Sequence, residues 1–381
     1  MFVLLLSTPM LLLSLIWGKF NHRSKLMLSF MCCIIFTLLY SSYYLNGVDW
    51  SVYYLKLLYE SNPSVSFEPG FVLLFKFMLF VFNDNFGFVI LIWYLICFSS
   101  LSKILSNYPV NQPLFWGCLF LLFGYNLMLE QLRQFLACII VFYAVIKYNE
   151  ERSFRKFIIF SVFGALFHVS SLIIIPAVML ASIREHNKFI LTTFVMVVGA
   201  VSFIFLGSAI INQLAGLSVI FQKISIYMEI HPISFTVGWL NIIDIAFVLV
   251  YLFYRKAIDR HESFRLLTRL IFIGAVIHTF SGSITLLARV SFIFFFLAIY
   301  VFCIISPPSC RRMFAIRTYN TLFLSGFVFF TLAVNLSSYF RNADAPINFA
   351  TMDLRLISLF DEMYVENLAH EKFNSTLKAT R

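Results

Sequence analysis

Long apolar runs, separated by short polar segments, make up most of this chain. Runs close to the length of about 20 residues that a membrane-spanning helix needs occur at 2–17, 26–45, 86–103, 113–129, 132–148, 189–211, 235–254, 266–281, 284–306 and 319–338. They lack the period-two alternation of apolar and polar positions that is typical of membrane β-barrels. The pattern therefore predicts an all-α, polytopic integral membrane protein with about 10–12 transmembrane helices and one or two re-entrant or interfacial helices.

Two further apolar segments do not fit a simple spanning pattern. Residues 70–82 are too short to span comfortably and are followed by a polar Asn-Asp-Asn sequence, so they predict an interfacial or re-entrant helix. Residues 157–181 have basic loops at both ends. This segment either crosses the membrane against the rule that basic loops face the cytoplasm, or dips in and returns near His168.

The basic residues give the orientation. They cluster in short loops at 19–25, 103, 147–156, 184–188, 255–269 and 311–317, which are expected to be cytoplasmic. Residues 1–340 then form a single membrane domain with outer loops at 46–68 and 212–234. We interpret 2–17 as a retained first helix. The polar tail 341–381 has Leu356, Phe360, Met363 and Leu368 near helical spacing, which indicates either a short amphipathic surface helix or a partly ordered tail.

Composition supports the membrane assignment and narrows the chemistry. Of the 381 residues, 61% are hydrophobic and 12% are charged, and the mean hydropathy is +0.90; soluble domains have about 25% charged residues. The net charge of +10 comes from the short basic loops, so nucleic acid is not an expected partner. The seven Cys have no metal-binding spacing, and no Gly-rich phosphate loop is present.

Ionisable residues in or beside the membrane segments are the candidates for function, because such residues are costly there. Glu68 precedes Pro69 at the start of an apolar helix, where it either complements the helix dipole or acts as a base or sugar ligand. Arg133 follows Glu130 near the outer end of a helix, where it either extends towards the interface or binds phosphate through its planar guanidinium.

Other candidates are individually weaker. His168 and Ser170 lie within one helical turn, and His168 is either a buried structural residue or a general base or phosphate ligand. Arg289 and His278 lie near outer helix ends, Asp49 begins an outer loop rich in tyrosine, and Asp244 has no obvious partner in the sequence. Two arginines on the outer side predict an anionic ligand, and a lipid phosphate or diphosphate is the natural one in a membrane.

Several of these residues occur in short motifs. In chain order the motifs are Asp49 with Tyr53 and Tyr54, Glu68-Pro69-Gly70-Phe71, Arg133-Gln134-Phe135-Leu136-Ala137, Phe167-His168-Val169-Ser170, and Arg289 with Phe292. Their order and spacing resemble the bacterial EpsG-like and O-antigen polymerase family over roughly residues 40–300. Where this family often has Tyr after the late Arg, the chain has Phe292, which leaves no phenol hydroxyl at that position.

The resemblance implies a glycosyltransferase of the bacterial inner membrane, acting in lipopolysaccharide or other polysaccharide biosynthesis. It would join oligosaccharide repeat units carried on undecaprenyl diphosphate, with its active site facing the periplasm. The expected roles are diphosphate binding for Arg133 and Arg289, a catalytic base at Glu68 or His168, and substrate binding for Asp49, Tyr54, Gln134, Ser170 and His278. No nucleotide cofactor is expected, because the diphosphate already activates the donor. A metal-independent mechanism is the default expectation, because no metal-binding cluster is visible in the sequence. A chain-length regulator is an expected partner, beside the lipid-linked substrate and the membrane lipid.

Three other functions are compatible with the composition. An O-antigen ligase would use the same donor, but the E-P-G and F-H-x-S elements favour the polymerase. A lipid-oligosaccharide flippase or transporter would predict internal repeats, and the sequence shows none that is convincing. A membrane acyltransferase would also use an intramembrane His but would leave the paired arginines less well explained.

Overall fold

The computed structural model describes residues 2–60, 67–206, 239–259, 262–280, 285–305 and 361–379. All regular secondary structure in these residues is helical. The α-helices are α1 Phe2–Ile16, α2 His22–Tyr43, α3 Asp49–Tyr59, α4 Pro69–Val81, α5 Phe86–Ser106, α6 Gln112–Phe123, α7 Leu132–Glu151, α8 Phe154–Ala165, α9 Ile174–Ala181, α10 His186–Leu206, α11 Trp239–Asp259, α12 Glu262–His278, α13 Thr285–Ile305 and α14 Glu362–Ala379.

The prediction of an all-α polytopic membrane protein is confirmed. By length and composition, four described segments are long and apolar enough to cross a membrane: Phe2–Lys19, His22–Asn46, Phe86–Ser106 and Leu132–Glu151. Shorter apolar helices accompany them at Pro69–Val81, Gln112–Phe123, Val169–Ala181, His186–Ser202 and Arg289–Ile304. The predicted span 319–338, the outer loop 212–234 and the start of the polar tail lie outside the described residues.

The chain divides into two compact units, and the division falls within α7 and α8. Of the described residues, the first unit contains 2–60, 67–143, 162–169 and 361–379. The second contains 144–161, 170–206, 239–259, 262–280 and 285–305.

In the first unit, α1 packs against α6 and α2 packs against α5, around a buried aromatic core. Tyr40 and Tyr94 lie in this core, and each uses its hydroxyl to satisfy a main-chain carbonyl of another segment. Tyr40 donates to the carbonyl of Gly124 at 3.1 Å, and Tyr94 donates to that of Met128 at 3.0 Å. Both bonds support the polypeptide immediately after α6, where regular α-helical hydrogen bonding ends.

That segment departs from the sequence prediction. Residues 113–129 were expected to form one span, but α6 ends at Phe123 and a π-helical turn follows at Asn126–Glu130. The amide of Glu130 donates to the carbonyl of Tyr125, five residues earlier, at 3.1 Å. Single π-helical turns are rare and frequently occur at functional sites. This one determines the direction in which Glu130 leaves the helix, just before α7 begins.

The short apolar segment after the first outer loop is a separate helix, as the sequence predicted. Helix α4 has 13 residues, so it is about 20 Å long, well short of the hydrocarbon thickness of about 30 Å. Phe71 and Phe75 are buried, whereas Leu73, Phe77 and Phe80 form an exposed apolar face. A two-residue turn with positive φ at Asn83 and Asp84 then leads into α5.

The segment 157–181, whose path the sequence left open, is not one continuous helix. Helix α8 ends at Ala165, a 3₁₀ turn occupies Val169–Ile173, and α9 follows from Ile174. The interruption contains His168, near which the sequence allowed the chain to turn back within the membrane.

Arg269 was expected at the end of a cytoplasmic basic loop, but it is helical and buried; its place on the cytoplasmic side stays a prediction. It lies within α12 of the second unit and is 1% exposed. Its guanidinium donates to the carbonyls of Ala181, at 3.2 Å, and Ile183, and it lies 4.6 Å above the Phe189 ring. The last carbonyls of a helix have no intrahelical partner, so Arg269 caps the C-terminal end of α9.

The approach of α12 to α13 gives a test of the packing in the second unit. A Cβ on Gly274 would lie 2.2 Å from Cβ of Phe294, so Gly274→Ala must push the two helices apart. Overpacking of this kind typically costs about 1–3 kcal/mol. We expect a lower melting temperature for the purified variant in detergent.

Gly199 is the matched control, because it lies within helix α10 and a Cβ there would meet nothing within 4 Å. Gly199→Ala should keep or slightly raise the melting temperature, since Ala is the better helix former by about 1 kcal/mol. Equal melting temperatures for the two variants would contradict the close approach at Gly274.

Candidate functional site

Glu68 and Arg133, two residues singled out in the sequence, form an ion pair in the first unit. Glu68 is the N-cap residue of α4, and Arg133 lies in the first turn of α7. The Glu68 side chain makes no capping hydrogen bond to its own helix, so its carboxylate is directed to Arg133. The side chains are 13% and 20% exposed, which leaves the pair mostly desolvated but still reachable from outside.

Aromatic rings surround the Arg133 guanidinium. Its Cζ lies 4.9 Å from the ring centre of Phe67, 5.7 Å from that of Tyr53 and 5.8 Å from that of Phe71. Cation–π contacts of this kind hold the guanidinium plane in place. The Nε–H donor is buried and has no acceptor among the described residues. Arg133 therefore retains a buried donor whose hydrogen-bonding capacity the described residues do not use.

The turn that carries His168 closes onto the start of α4. The carbonyl of Leu166 accepts hydrogen bonds from the amides of Gly70, at 2.9 Å, and Phe71, at 3.2 Å. A Cβ on Gly70 would lie 2.7 Å from Cβ of Leu166, so the approach requires glycine at that position. The E-P-G and F-H-x-S motifs, separated by about 100 residues, thus meet at one contact.

This contact also reaches the ion pair. The amide of Val169 donates to Oε1 of Glu68 at 3.4 Å, a long hydrogen bond. His168, which is partly exposed, precedes that amide in the chain. The structure therefore brings together Glu68, Arg133 and the turn of His168, three of the elements predicted to carry the chemistry.

Glu130 is a further buried acid beside this cluster, and the sequence interpretation did not assign it a role. Its Oε2 accepts hydrogen bonds from the amides of Val48 and Asp49, both at 2.9 Å, and Oε1 accepts from Val48 at 3.1 Å. These amides lie at the start of α3, where helical amides have no intrahelical partner. The one signal in the sequence was an acid directly after an apolar run, three residues before Arg133.

The remaining predicted residues of the first unit lie around this cluster. Asp49 is the first residue of α3 and is partly exposed. Tyr54 is buried, with its ring edge-on to Phe86 at 5.1 Å. Gln134 is also buried, beside Arg133 in sequence. Much of the first outer loop is therefore helical, since α3 occupies residues 49–59 of it. The substrate-binding roles of these three residues stay predictions.

Three predicted residues belong to the second unit. Ser170 lies in the 3₁₀ turn before α9, and Arg289 lies on α13 with a partly exposed side chain. His278 ends α12, and its Nδ1 lies 2.6 Å from Oδ2 of Asp244. Asp244, which had no evident partner in the sequence, is thus half of a buried acid–imidazole pair, with 8% exposure for His278 and none for Asp244.

Metal binding would need a group of at least three His, Cys, Asp or Glu side chains close together, and the described part of the chain contains no such group. In the described part of the first unit, the guanidinium of Arg133 and the carboxylate of Glu68 lie beside the turn that carries the imidazole of His168.

The environment of Glu130 generates a prediction about pH. Burial, and to a lesser extent the neighbouring Asp49, raise the pKa of this carboxyl from 4.5 to about 7, although hydrogen bonds from two amides and the charge of Lys372 act in the opposite direction. Because the folded-state pKa is the higher one, Glu130 stabilises the fold fully below its unfolded pKa and loses this contribution as the pH rises through about 7.

Glu130→Gln cannot ionise and lacks this dependence. We expect the melting temperature of the unmodified protein, measured relative to Glu130→Gln, to fall between about pH 4.5 and about pH 8 and then to level off. A difference that stays constant over this range would show that Glu130 titrates normally.

Comparison with known proteins identifies the family. The chain matches the EpsG family over residues 26–352. Neither the curated proteins nor the solved structures contain a match. The matched region includes the Glu68–Arg133 pair, the π-helical turn and the turn of His168, and it leaves α14 outside. Since the match covers most of the 381 residues, the chain belongs to the EpsG family, a family of exopolysaccharide and O-antigen polymerase-like proteins.

Proposed function

We propose that this chain is a polysaccharide polymerase of the O-antigen type, which joins oligosaccharide repeat units carried on undecaprenyl diphosphate. The reaction would take place at the periplasmic face of a bacterial inner membrane. Membership of the EpsG family supports polymerase-like activity. The observation in the structure that carries the finer proposal is Arg133, a mostly buried guanidinium in an aromatic setting with an unused Nε–H donor.

The chemistry requires a stabilised leaving group. The bond between the anomeric carbon of the donor sugar and the lipid diphosphate breaks, and a bond from that carbon to an acceptor hydroxyl oxygen forms. The bonding electrons leave with the diphosphate, so negative charge grows on its bridging oxygen. A fixed guanidinium in a water-poor setting stabilises such charge strongly, because it needs no reorganisation as the charge develops. Arg133 supplies this group in our proposal.

The acceptor hydroxyl must also lose its proton. Glu68 and His168 both remain candidates for the base. The Glu68 carboxylate contacts the turn of His168, which supports a common role in removing this proton. The Glu68 carboxylate is oriented by Arg133 and by the Val169 amide, and His168 lies in the turn that supplies that amide. A base held within hydrogen-bond reach of the hydroxyl typically contributes 10²–10⁴-fold to the rate. Diphosphate binding by Arg289 stays a prediction from the sequence.

Arg133 is the residue whose substitution tests the proposal. Arg133→Ala, expressed in a strain lacking the gene, should abolish the ladder of polymer lengths seen when the surface polysaccharide is separated on a gel. Single repeat units should remain attached to the acceptor. Arg133→Lys should restore a weak ladder at most, because an ammonium group lacks the planar fork that binds two phosphate oxygens.

Arg155→Ala is the matched control, since this arginine is exposed on α8 and should give a normal ladder. Equal amounts of each variant in the membrane fraction must be verified by immunoblotting. A full ladder with Arg133→Ala would refute the site. Complete loss of polysaccharide from the acceptor in the gene deletion, including the single unit, would favour a ligase or flippase over a polymerase.

A further inference from the structure

The short segment between α2 and α3, residues 44–49, is held from two directions by charged side chains distant in sequence. We call this segment the α3 entry. Its amides at Val48 and Asp49 donate to the carboxylate of Glu130, as described above. Its carbonyls at Leu45 and Gly47 accept hydrogen bonds from the ammonium of Lys372, the latter at 2.7 Å. A carboxyl group therefore accepts from the donors of the segment, and an ammonium group donates to its acceptors.

The α3 entry is closely fitted to Glu130. A Cβ on Gly47 would lie 2.9 Å from Oε1 of Glu130, so there is no room for a side chain between this residue and the carboxyl group. Trp50 adds a further bond, because its indole Nε1 donates to the carbonyl of Gly47 at 2.9 Å. The amides and carbonyls of a turn are usually satisfied by water or by neighbouring residues; here distant charged groups satisfy them.

Holding the α3 entry also fixes the position of a residue at the proposed active site. Tyr53 lies one helical turn after Asp49, and its hydroxyl donates to the main-chain carbonyl of Glu130 at 3.2 Å. Its ring lies 5.7 Å from Cζ of Arg133. Glu130 thus binds α3 through both its side chain and its backbone, and a shift of α3 would remove Tyr53 from the face of the guanidinium.

Lys372 belongs to α14, which packs along α3 in the first unit. Val365 and Ala369 form the buried face of α14, whereas Met363, part of the expected apolar face, is exposed. At the far end of α3, Glu366 accepts a hydrogen bond from Tyr59. Helix α14 therefore contacts both ends of α3. It also lies outside the region matched by the family, so its role must be inferred from these contacts.

We infer that Glu130 and Lys372 form a clamp on the α3 entry that positions α3 and Tyr53 against Arg133. Helix α14 is therefore a working part of the polymerase, and Glu130 and Lys372 are positioning residues. Neither residue is required to touch substrate. The catalytic part of this inference rests on the proposed function, whereas the clamp itself can be measured independently of activity.

Amide hydrogen exchange on the full-length protein, followed by mass spectrometry, measures the clamp directly. In Glu130→Ala the amides of Val48 and Asp49 lose their acceptor, and we expect peptides covering the α3 entry to exchange at least about tenfold faster. Glu130→Gln should retain most of the protection, because a single oxygen of Glu130 accepts both amides. Lys372→Met should produce a smaller acceleration in the same peptides, and exchange in α5 should stay unchanged in every variant.

The second readout is the polymer ladder of the same variants. We expect Glu130→Ala to shorten or abolish the ladder, Lys372→Met to shorten it, and Glu130→Gln to restore it. Glu371→Gln, an exposed neighbour on α14, is the control and should behave as the unmodified protein. Rescue by Glu130→Gln distinguishes positioning from a catalytic carboxylate, since the amide can accept hydrogen bonds but cannot act as a base.

Each outcome has a defined meaning. Unchanged exchange in Glu130→Ala would show that there is no clamp, and faster exchange with a normal ladder would show that the clamp does not position the site. If Glu130→Ala also accelerates exchange in α5, the variant is misfolded and Lys372→Met decides by the same two criteria. If Arg133→Ala keeps a full ladder, the proposed function fails, while the exchange measurements still decide whether the clamp exists.

Discussion

The ion pair between Glu68 and Arg133 joins the start of α4 to the start of α7 at a point where both charges have lost most of their contact with water. A charge in such a place must be paired, because an isolated one costs far more than folding can supply. This requirement links otherwise separate features. It directs the Glu68 carboxylate away from its own helix, places the rings of Phe67 and Phe71 around the guanidinium, and brings the turn after α8 against Gly70.

The backbone irregularities of the first unit are concentrated at the same place. If residues 113–129 formed one regular helix, Glu130 would follow directly along the axis of that helix. The π-helical turn changes that path, and two tyrosine hydroxyls satisfy carbonyls of the segment around it. The interruption at His168 likewise leaves the Leu166 carbonyl available to two amides of α4. In each irregular segment, main-chain carbonyls that the helix does not use are therefore paired, which is a condition for non-helical backbone in an apolar setting.

Most of the helices, and the cluster of motifs, could be predicted from the sequence. Apolar runs locate helices reliably in a membrane protein, because only helices or closed barrels satisfy the backbone there. The motifs around Glu68, Arg133 and His168 were recognised as related, although nothing in their spacing shows that Leu166 contacts Gly70. Side-chain contacts between residues distant in sequence could not be predicted. Glu130 with the Val48 amide, Lys372 with the Gly47 carbonyl, and Asp244 with His278 depend on packing that local patterns do not encode.

The position of Arg269 also could not be predicted from local patterns. The neighbouring charges indicated a basic loop, whereas packing buries the guanidinium against carbonyls at the end of α9. Arg269, Glu130 and Lys372 each bind main-chain groups, so their charges are committed to holding the backbone. Two of the pairs described above instead join ionisable side chains to each other. Asp244 with His278 is nearly closed to solvent, whereas Arg133 with Glu68 is partly open and retains an unused N–H donor. Because the Arg133–Glu68 pair is partly exposed and the Asp244–His278 pair is not, the former is the stronger candidate for contact with a ligand and for chemistry.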